Sequence, residues 1–173
     1  MSLTTKTGDD GFTDLYLGGS SGNEPCLLRV KKDDPCIEFL GTLDELDAHL
    51  SFCEISLQTA GLNDYPEIIA KIRKALVSAM AVNAAELPSN TAWLEEKISA
   101  LEKEKPIQDF VRSWKEPAPA CLNIARSVCR RAERRLVTVI NNSENQTNAG
   151  AIDWKPILPW LNRVSDLLFQ LSG

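Results

Sequence analysis

The chain has one histidine, His49, and no apolar run near the roughly 20 residues that span a bilayer. With a single imidazole, and with no two of the five cysteines at CxxC spacing, a protein-built zinc site is hard to assemble. The cysteine count is odd and Met1 to Gly11 lacks the apolar core of a signal peptide, so reduced thiols and a cytoplasmic protein are expected. The net charge is −5, which is no general platform for nucleic acid. The chain is 173 residues long, 43% hydrophobic and 25% charged, which predicts one soluble domain with a sizeable core. His49 lies in an apolar stretch and reads as packing or partly exposed.

No alternating strand pattern and no repeat is visible. Residues 1–35 hold most of the glycines, in Thr7-Gly8-Asp9-Asp10-Gly11 and Gly18-Gly19-Ser20-Ser21-Gly22, and read as loops. Residues 36–173 read as helices. Apolar residues spaced by threes and fours (Ile37, Leu40, Leu43, Leu46, Leu50, Cys53, Leu57) predict a first helix from Cys36 to Thr59, stopped by Gly61 and Asn63. A second starts near Pro66, with Asp64 and Glu67 spaced as in a capping box, and stops at Leu87-Pro88-Ser89-Asn90. A third is expected from an N-cap at Thr91 to Lys105, a fourth from Ala120 to Asn141, and a fifth from Trp154–Pro156 to the end. The expected architecture is an all-α bundle of five helices, residues 36–173, behind a glycine-containing N-terminal loop.

Chemistry concentrates in three places. Residues 126–135 carry five arginines and one glutamate in an acidic protein. Arg126, Arg130 and Arg134 are four apart, so they form one column of like charge along a helix face. Such a column needs carboxylates from elsewhere, as a solvated face with cross-helix salt bridges, or an anionic ligand. Guanidinium forks bind two phosphate oxygens at once, so the run suits a polyphosphate. In Thr5-Lys6-Thr7-Gly8-Asp9-Asp10-Gly11-Phe12-Thr13, the glycines let backbone amides turn toward an anion and the threonines offer hydroxyls; the bland alternative is a plain turn. Asn162 and Asp166 share a face of the last helix, where Asp166 is also free to pair with an arginine of the fourth. Asp44 and Glu45 interrupt the apolar first helix and suggest ion pairs.

TKTGDDG-x-T, GTLDEL, ARSVCRRAERR and LNRVSDLLF, in that order from Thr5 to Leu171, closely resemble the ATP:cob(I)alamin adenosyltransferases of the propanediol-utilisation type. The resemblance implies a five-helix bundle assembled as a homotrimer with active sites between subunits. It implies transfer of the 5′-deoxyadenosyl group of ATP to cob(I)alamin or a related corrinoid, with release of triphosphate. Magnesium is expected on the ATP phosphates, with no metal held by protein side chains. By the same resemblance Thr5, Lys6, Thr7, Gly8 and Thr13 wrap the ATP, joined by Lys32, Arg130, Arg131, Glu133, Arg134 and Asn162. Arg126 and Asp44 match partners in a salt bridge between subunits, and Phe110 matches a phenylalanine of the corrinoid pocket. A corrinoid reductase and an adenosylcobalamin-dependent enzyme are the implied partners, with no nucleic acid and no membrane.

Two stretches depart from the family pattern. Asp10 stands where a lysine is usual, and Arg112-Ser113-Trp114-Lys115 follows Phe110 where a Pro-Gly-Gly turn is usual. These departures favour the alternative of a non-catalytic sensor or carrier that binds ATP or a corrinoid. A purely structural bundle, its arginines paired with carboxylates, is the third reading.

Overall fold

A computed structural model describes residues 6–17, 26–81, 86–107, 115–144 and 154–173. Five helices follow a short hairpin: α1 Pro35–Thr59, α2 Tyr65–Met80, α3 Leu87–Glu104, α4 Pro117–Glu144 and α5 Ile157–Ser172. Each has a local cause. Asp34 caps α1 by accepting from the Cys36 amide at 2.8 Å, and Pro35 opens the first turn, where its missing N–H costs nothing. At the other end Gly61 takes a φ of 75°, which lets Leu62 N–H reach the Leu57 carbonyl and Gly61 N–H the Gln58 carbonyl, each at 3.0 Å. This pair of bonds closes the helix on the left-handed residue, the conformation glycine adopts at least cost.

The core forms where α1, α4 and α5 meet. Phe39, Leu43, Leu46, Leu50, Cys53 and Leu57 run down α1, fully buried. They face Leu122, Ala125, Cys129, Ala132 and Leu136 of α4, and Leu161, Val164 and Leu168 of α5 closes the far side. The α1 seam begins at Phe39, edge-on to Trp154 at 5.8 Å, whereas the expected Ile37 and Leu40 are only half-buried. Arg73 of α2 forks onto Asp47 of α1 at 2.9 and 3.1 Å and reaches Glu54 at 3.2 Å, fastening α2 to α1. Cys36, Cys53, Cys121 and Cys129 are free thiols. His49 is partly exposed, 4.0 Å from Glu45.

Five local expectations are corrected. Residues 12–17 and 26–31 are not loop: β1 (Phe12–Leu17) and β2 (Cys26–Lys31) pair antiparallel, from Phe12 opposite Lys31 to Leu17 opposite Cys26. Their alternation is weak because Leu15 is buried while Leu27 and Leu28 are exposed. The Gly18–Gly22 turn lies outside the described residues. Leu87-Pro88-Ser89-Asn90 does not stop a helix but starts one, with Pro88 in the first turn of α3. Thr91 is therefore inside α3, its hydroxyl donating to the Leu87 carbonyl at 2.8 Å, and it caps nothing. Asp64 makes no side-chain capping bond to α2. Helix α4 is also longer than expected by three residues at each end. Among the described residues no helix is long and apolar enough to cross a membrane.

The seam predicts a sharp contrast between two apolar truncations. Leu46→Ala, at a fully buried position, is expected to cost about 2–5 kcal/mol in denaturant unfolding. Val77→Ala, at a position 62% exposed, is expected to stay within about 0.5 kcal/mol. Equal losses at the two sites would show that the seam is misplaced.

Candidate active site

Helix α4 carries its arginines on two edges. Arg131 and Arg135 turn toward α1, where Arg131 is ion-paired with Glu45 and Arg135 lies 3.2 Å from Glu38. The salt-bridge reading thus accounts for these two. Arg126, Arg130 and Arg134 make no ion pair with any described residue. Arg126 donates to Asn123 Oδ1 at 3.0 Å and lies over the Phe169 ring of α5, 5.5 Å from its centroid. Arg130 and Arg134 are exposed. Three like charges one turn apart, without counter-charge, leave a positive strip along the α5 edge of α4.

Helix α5 answers this strip with an amide. Asn162 Nδ2 donates to Glu133 Oε1 at 3.0 Å. Asp166 does not pair with α4; it holds Arg163 of its own helix at 3.1 Å. Arg163 also donates to Asn162 Oδ1 and faces Glu95 of α3 at 3.9 Å. Burial pushes the Cys129 thiol well above its ordinary range, Glu133 adds to the shift and Arg130 opposes it. That thiol donates to the Leu161 carbonyl at 3.2 Å, which makes it a packing element.

The N-terminal turn is held from the opposite strand. Gly11 takes a φ of 81° and donates to the Gly8 carbonyl at 3.3 Å, while Lys6 adopts a left-handed φ of 58°. Asp10 Oδ1 accepts from the Phe12 amide at 3.0 Å. Arg29, which sequence reasoning missed, bonds both Asp10 oxygens at 3.0 and 3.1 Å, the Thr7 carbonyl, and Asp14 at 3.2 Å. Its signal was Asp14 directly opposite Arg29, visible only once the strands are paired. Lys32 closes the turn: its amide donates to the Gly11 carbonyl at 2.9 Å, and a Cβ on Gly8 would stand 3.1 Å from its ammonium nitrogen. Gly8 and Lys32, distant in sequence, are thus brought together, while Thr13 pairs with Val30 in the ladder. Thr5 and Phe110 lie outside the described residues, as do Arg112 to Trp114.

A cleft of about 950 Å³ opens between α3 and α5, walled by Glu95, Ile98, Glu102, Ile107, Arg163 and Phe169. Ile107 directly precedes the segment that contains Phe110. Since Arg126 lies over Phe169, the arginine column starts at the wall of the cleft.

The Asp10 carboxyl is held below its ordinary value of 3.8, chiefly by the Phe12 amide and also by Arg29, against some desolvation. Its contribution to the turn is therefore present above pH 3.8 and lost as pH falls through the depressed folded value. A carboxyl-carbon NMR titration should give a midpoint below 3.8. In Arg29→Ala the midpoint should move only part of the way back, because the Phe12 bond remains; an unmoved midpoint would remove Arg29 from the clamp.

Comparison with known proteins bears on this arrangement. Residues 3–173 match the family model described as cobalamin adenosyltransferase. A corrinoid adenosyltransferase named PduO from Salmonella typhimurium is 32% identical over 99% of this chain, which spans 49% of that protein's length. A corrinoid adenosyltransferase from Citrobacter freundii is 32% identical over 98% of this chain and 92% of its own length. A PduO-type ATP:corrinoid adenosyltransferase variant from Lactobacillus reuteri, complexed with cobalamin and ATP, superposes with a TM-score of 0.78, at 24% identity over 99% of this chain and 89% of its own. The last shows the shared fold. Matched along nearly its whole length, at residues 3–173, this chain belongs to the cobalamin adenosyltransferase family.

Proposed function

We propose that the chain transfers the 5′-deoxyadenosyl group of ATP to the cobalt of cob(I)alamin or a related corrinoid. The supporting observation is the column Arg126, Arg130 and Arg134, unpaired among the described residues and beginning at the Phe169 wall of a large cleft. A triphosphate is the counter-charge that such a column lacks, and the cleft beside it suits a bulky planar partner. In the reaction cobalt(I) attacks the ribose C5′. A cobalt–carbon bond forms, the C5′–O bond breaks, and triphosphate leaves with the electron pair. No protein nucleophile or general base is required, which suits a chain with one histidine. The protein's work is alignment of the two substrates and neutralisation of charge on the leaving group.

In this reading Arg130 and Arg134 fork the phosphates. Lys32 and the turn from Thr5 to Gly8, with Thr13, enclose them, and magnesium arrives on the phosphates. Glu133 and Asn162 contact the nucleoside. Arg131, engaged by Glu45, adds to the positive field without forking a phosphate. Phe169 lines the cleft that would receive the corrinoid, and the resemblance assigns Phe110 to the same pocket, where an apolar side chain would favour loss of the lower cobalt ligand and so ease reduction. The chain acts as one domain, residues 1–35 supplying the nucleotide loop region and residues 36–173 the bundle. The reaction belongs in the cytoplasm, fed by a corrinoid reductase and drained by an adenosylcobalamin-dependent enzyme. A second reading, a binder without turnover, draws on Asp10, which places a carboxylate within the nucleotide turn.

A homotrimer fits the same picture. Asp44 is exposed and forms no ion pair with a described residue, and Arg126 also has none. Phe52 and Ile55, 54% and 60% exposed, continue the Asp44 face of α1. Exposed apolar side chains on one helix face suit coverage by a second copy, with Asp44 of one subunit meeting Arg126 of the next.

Anaerobic mixing with MgATP and chemically reduced cob(I)alamin should give the spectrum of adenosylcobalamin, in a reaction that needs both ATP and protein. MgATP binding without conversion would favour the sensor or carrier. Arg130→Ala is expected to lower kcat/KM at least about 100-fold without altering the melting temperature beyond a few degrees; near-wild-type turnover would take Arg130 out of the site. Asp44→Arg should weaken the trimer in sedimentation, and the exchange Asp44→Arg with Arg126→Asp should restore assembly. An unchanged profile for Asp44→Arg alone would exclude the pairing.

A further inference from the structure

Asn162 is held at both ends of its amide. Its Nδ2 donates to Glu133 Oε1 on α4 at 3.0 Å, and its Oδ1 accepts from Arg163 Nη2. A carboxylate only accepts and a guanidinium only donates. The amide therefore has one orientation, nitrogen toward α4 and oxygen toward Arg163. A flipped amide would set donor against donor and acceptor against acceptor. Aspartate in its place would put two carboxylates together at Glu133. Held this way, Asn162 still has one Nδ2 hydrogen and one Oδ1 lone pair for a ligand.

Arg163 is itself fixed from other directions. Its Nη2 lies 3.1 Å from Asp166 Oδ2, one turn along α5, and its Nη1 lies 3.9 Å from Glu95 Oε1 on α3. Its Nε is buried and meets no acceptor among the described residues. The guanidinium thus keeps its contacts with Asn162 and Asp166 while leaving one donor unsatisfied, a cost that marks the orientation as dictated by those partners. The same side chain walls the cleft between α3 and α5. A continuous chain of polar contacts then runs from the cleft to α4, through Glu95, Arg163, Asn162 and Glu133.

From this we infer that Arg163 is a positioning residue for the nucleotide: from the cleft wall it locks the Asn162 amide in the orientation that meets ATP. The inference rests on the proposed nucleotide role of Asn162. Arg163 touches no reacting atom; it acts through its neighbour. A purely structural Arg163, tying α3 to α5, would instead set stability and leave the nucleotide affinity of the folded protein alone.

A double-mutant cycle on the full-length protein separates these roles, with MgATP affinity measured by calorimetry and folding by thermal melting. Arg163→Met is expected to weaken MgATP about 10-fold, the loss of one charge-assisted hydrogen bond's worth of order. In an Asn162→Ala background the same change should add less than about 2-fold, because the group it positions is gone. Arg163→Lys keeps the charge and the Asp166 pairing but lacks the fork, so it folds with an intermediate loss of MgATP affinity. Two results overturn the proposal: folded Arg163→Lys and Arg163→Met binding MgATP like wild type, or the Arg163 and Asn162 losses multiplying in the double variant. If the unaltered protein fails to bind millimolar MgATP, the nucleotide reading falls and the positioning role with it. If the unaltered protein binds and the Arg163 variants match it, only the positioning role falls.

Discussion

The close contact of α4 with α1 on one side and α5 on the other sets the rotation of α4 about its own axis. Ala125, Cys129 and Ala132 are small and fully buried, so the neighbouring helices approach α4 closely along this stripe. An α-helix advances 100° per residue, so burying that stripe dictates where each arginine of residues 126–135 emerges. Arg131 and Arg135 come out at the α1 edge and find Glu45 and Glu38. Arg126, Arg130 and Arg134 come out nearer α5, where Asn162 rather than a carboxylate faces α4. A different packing of the same helix would spread the cations differently and dissolve the strip.

The strip has an electrostatic consequence beyond its own helix. The chain carries a net charge of −5, so a local column of three unpaired guanidinium groups stands out against an acidic background. A positive groove of this kind draws a polyanion and orients it, most strongly at low ionic strength. Two carboxylates that could have served as counter-charge are engaged elsewhere. Asp10 is satisfied by Arg29 and the Phe12 amide, so the carboxylate that departs from the family pattern is spent within the hairpin. Asp166 is spent on Arg163. Neither carboxylate neutralises the column.

Much of the bundle was legible in the residue pattern. The α1 stripe from Leu43 to Leu57 and its glycine stop emerged almost where periodicity put them, because a 3.6-residue apolar spacing has one economical explanation. Other features escaped for physical reasons. The start of α3 at Leu87 was masked by Pro88, which reads as a breaker inside a helix and as a starter in its first turn. The burial of Leu87 and the bond from Trp160 Nε1 to Asn90 Oδ1, at 2.7 Å, tie that turn to the core and decide between the two. The hairpin escaped because it buries Leu15 while exposing Leu27 and Leu28, which erases the two-residue alternation. Arg29 escaped with it.

Sequence alone determined the helical class, the family and the identity of the charged clusters, since these depend on local periodicity and on short segments in a fixed order. It left open whether the arginines were balanced, because a side-chain partner can come from 86 positions away, as with Arg131 and Glu45. Only the tertiary structure divided five arginines into two that bind α1 and three that do not. Only it brought Lys32 against Gly8, Arg29 against the N-terminal turn, and Arg163 between the cleft and Asn162. Charge type is written in the chain, but compensation of charge is a property of distance, and distance is decided by packing.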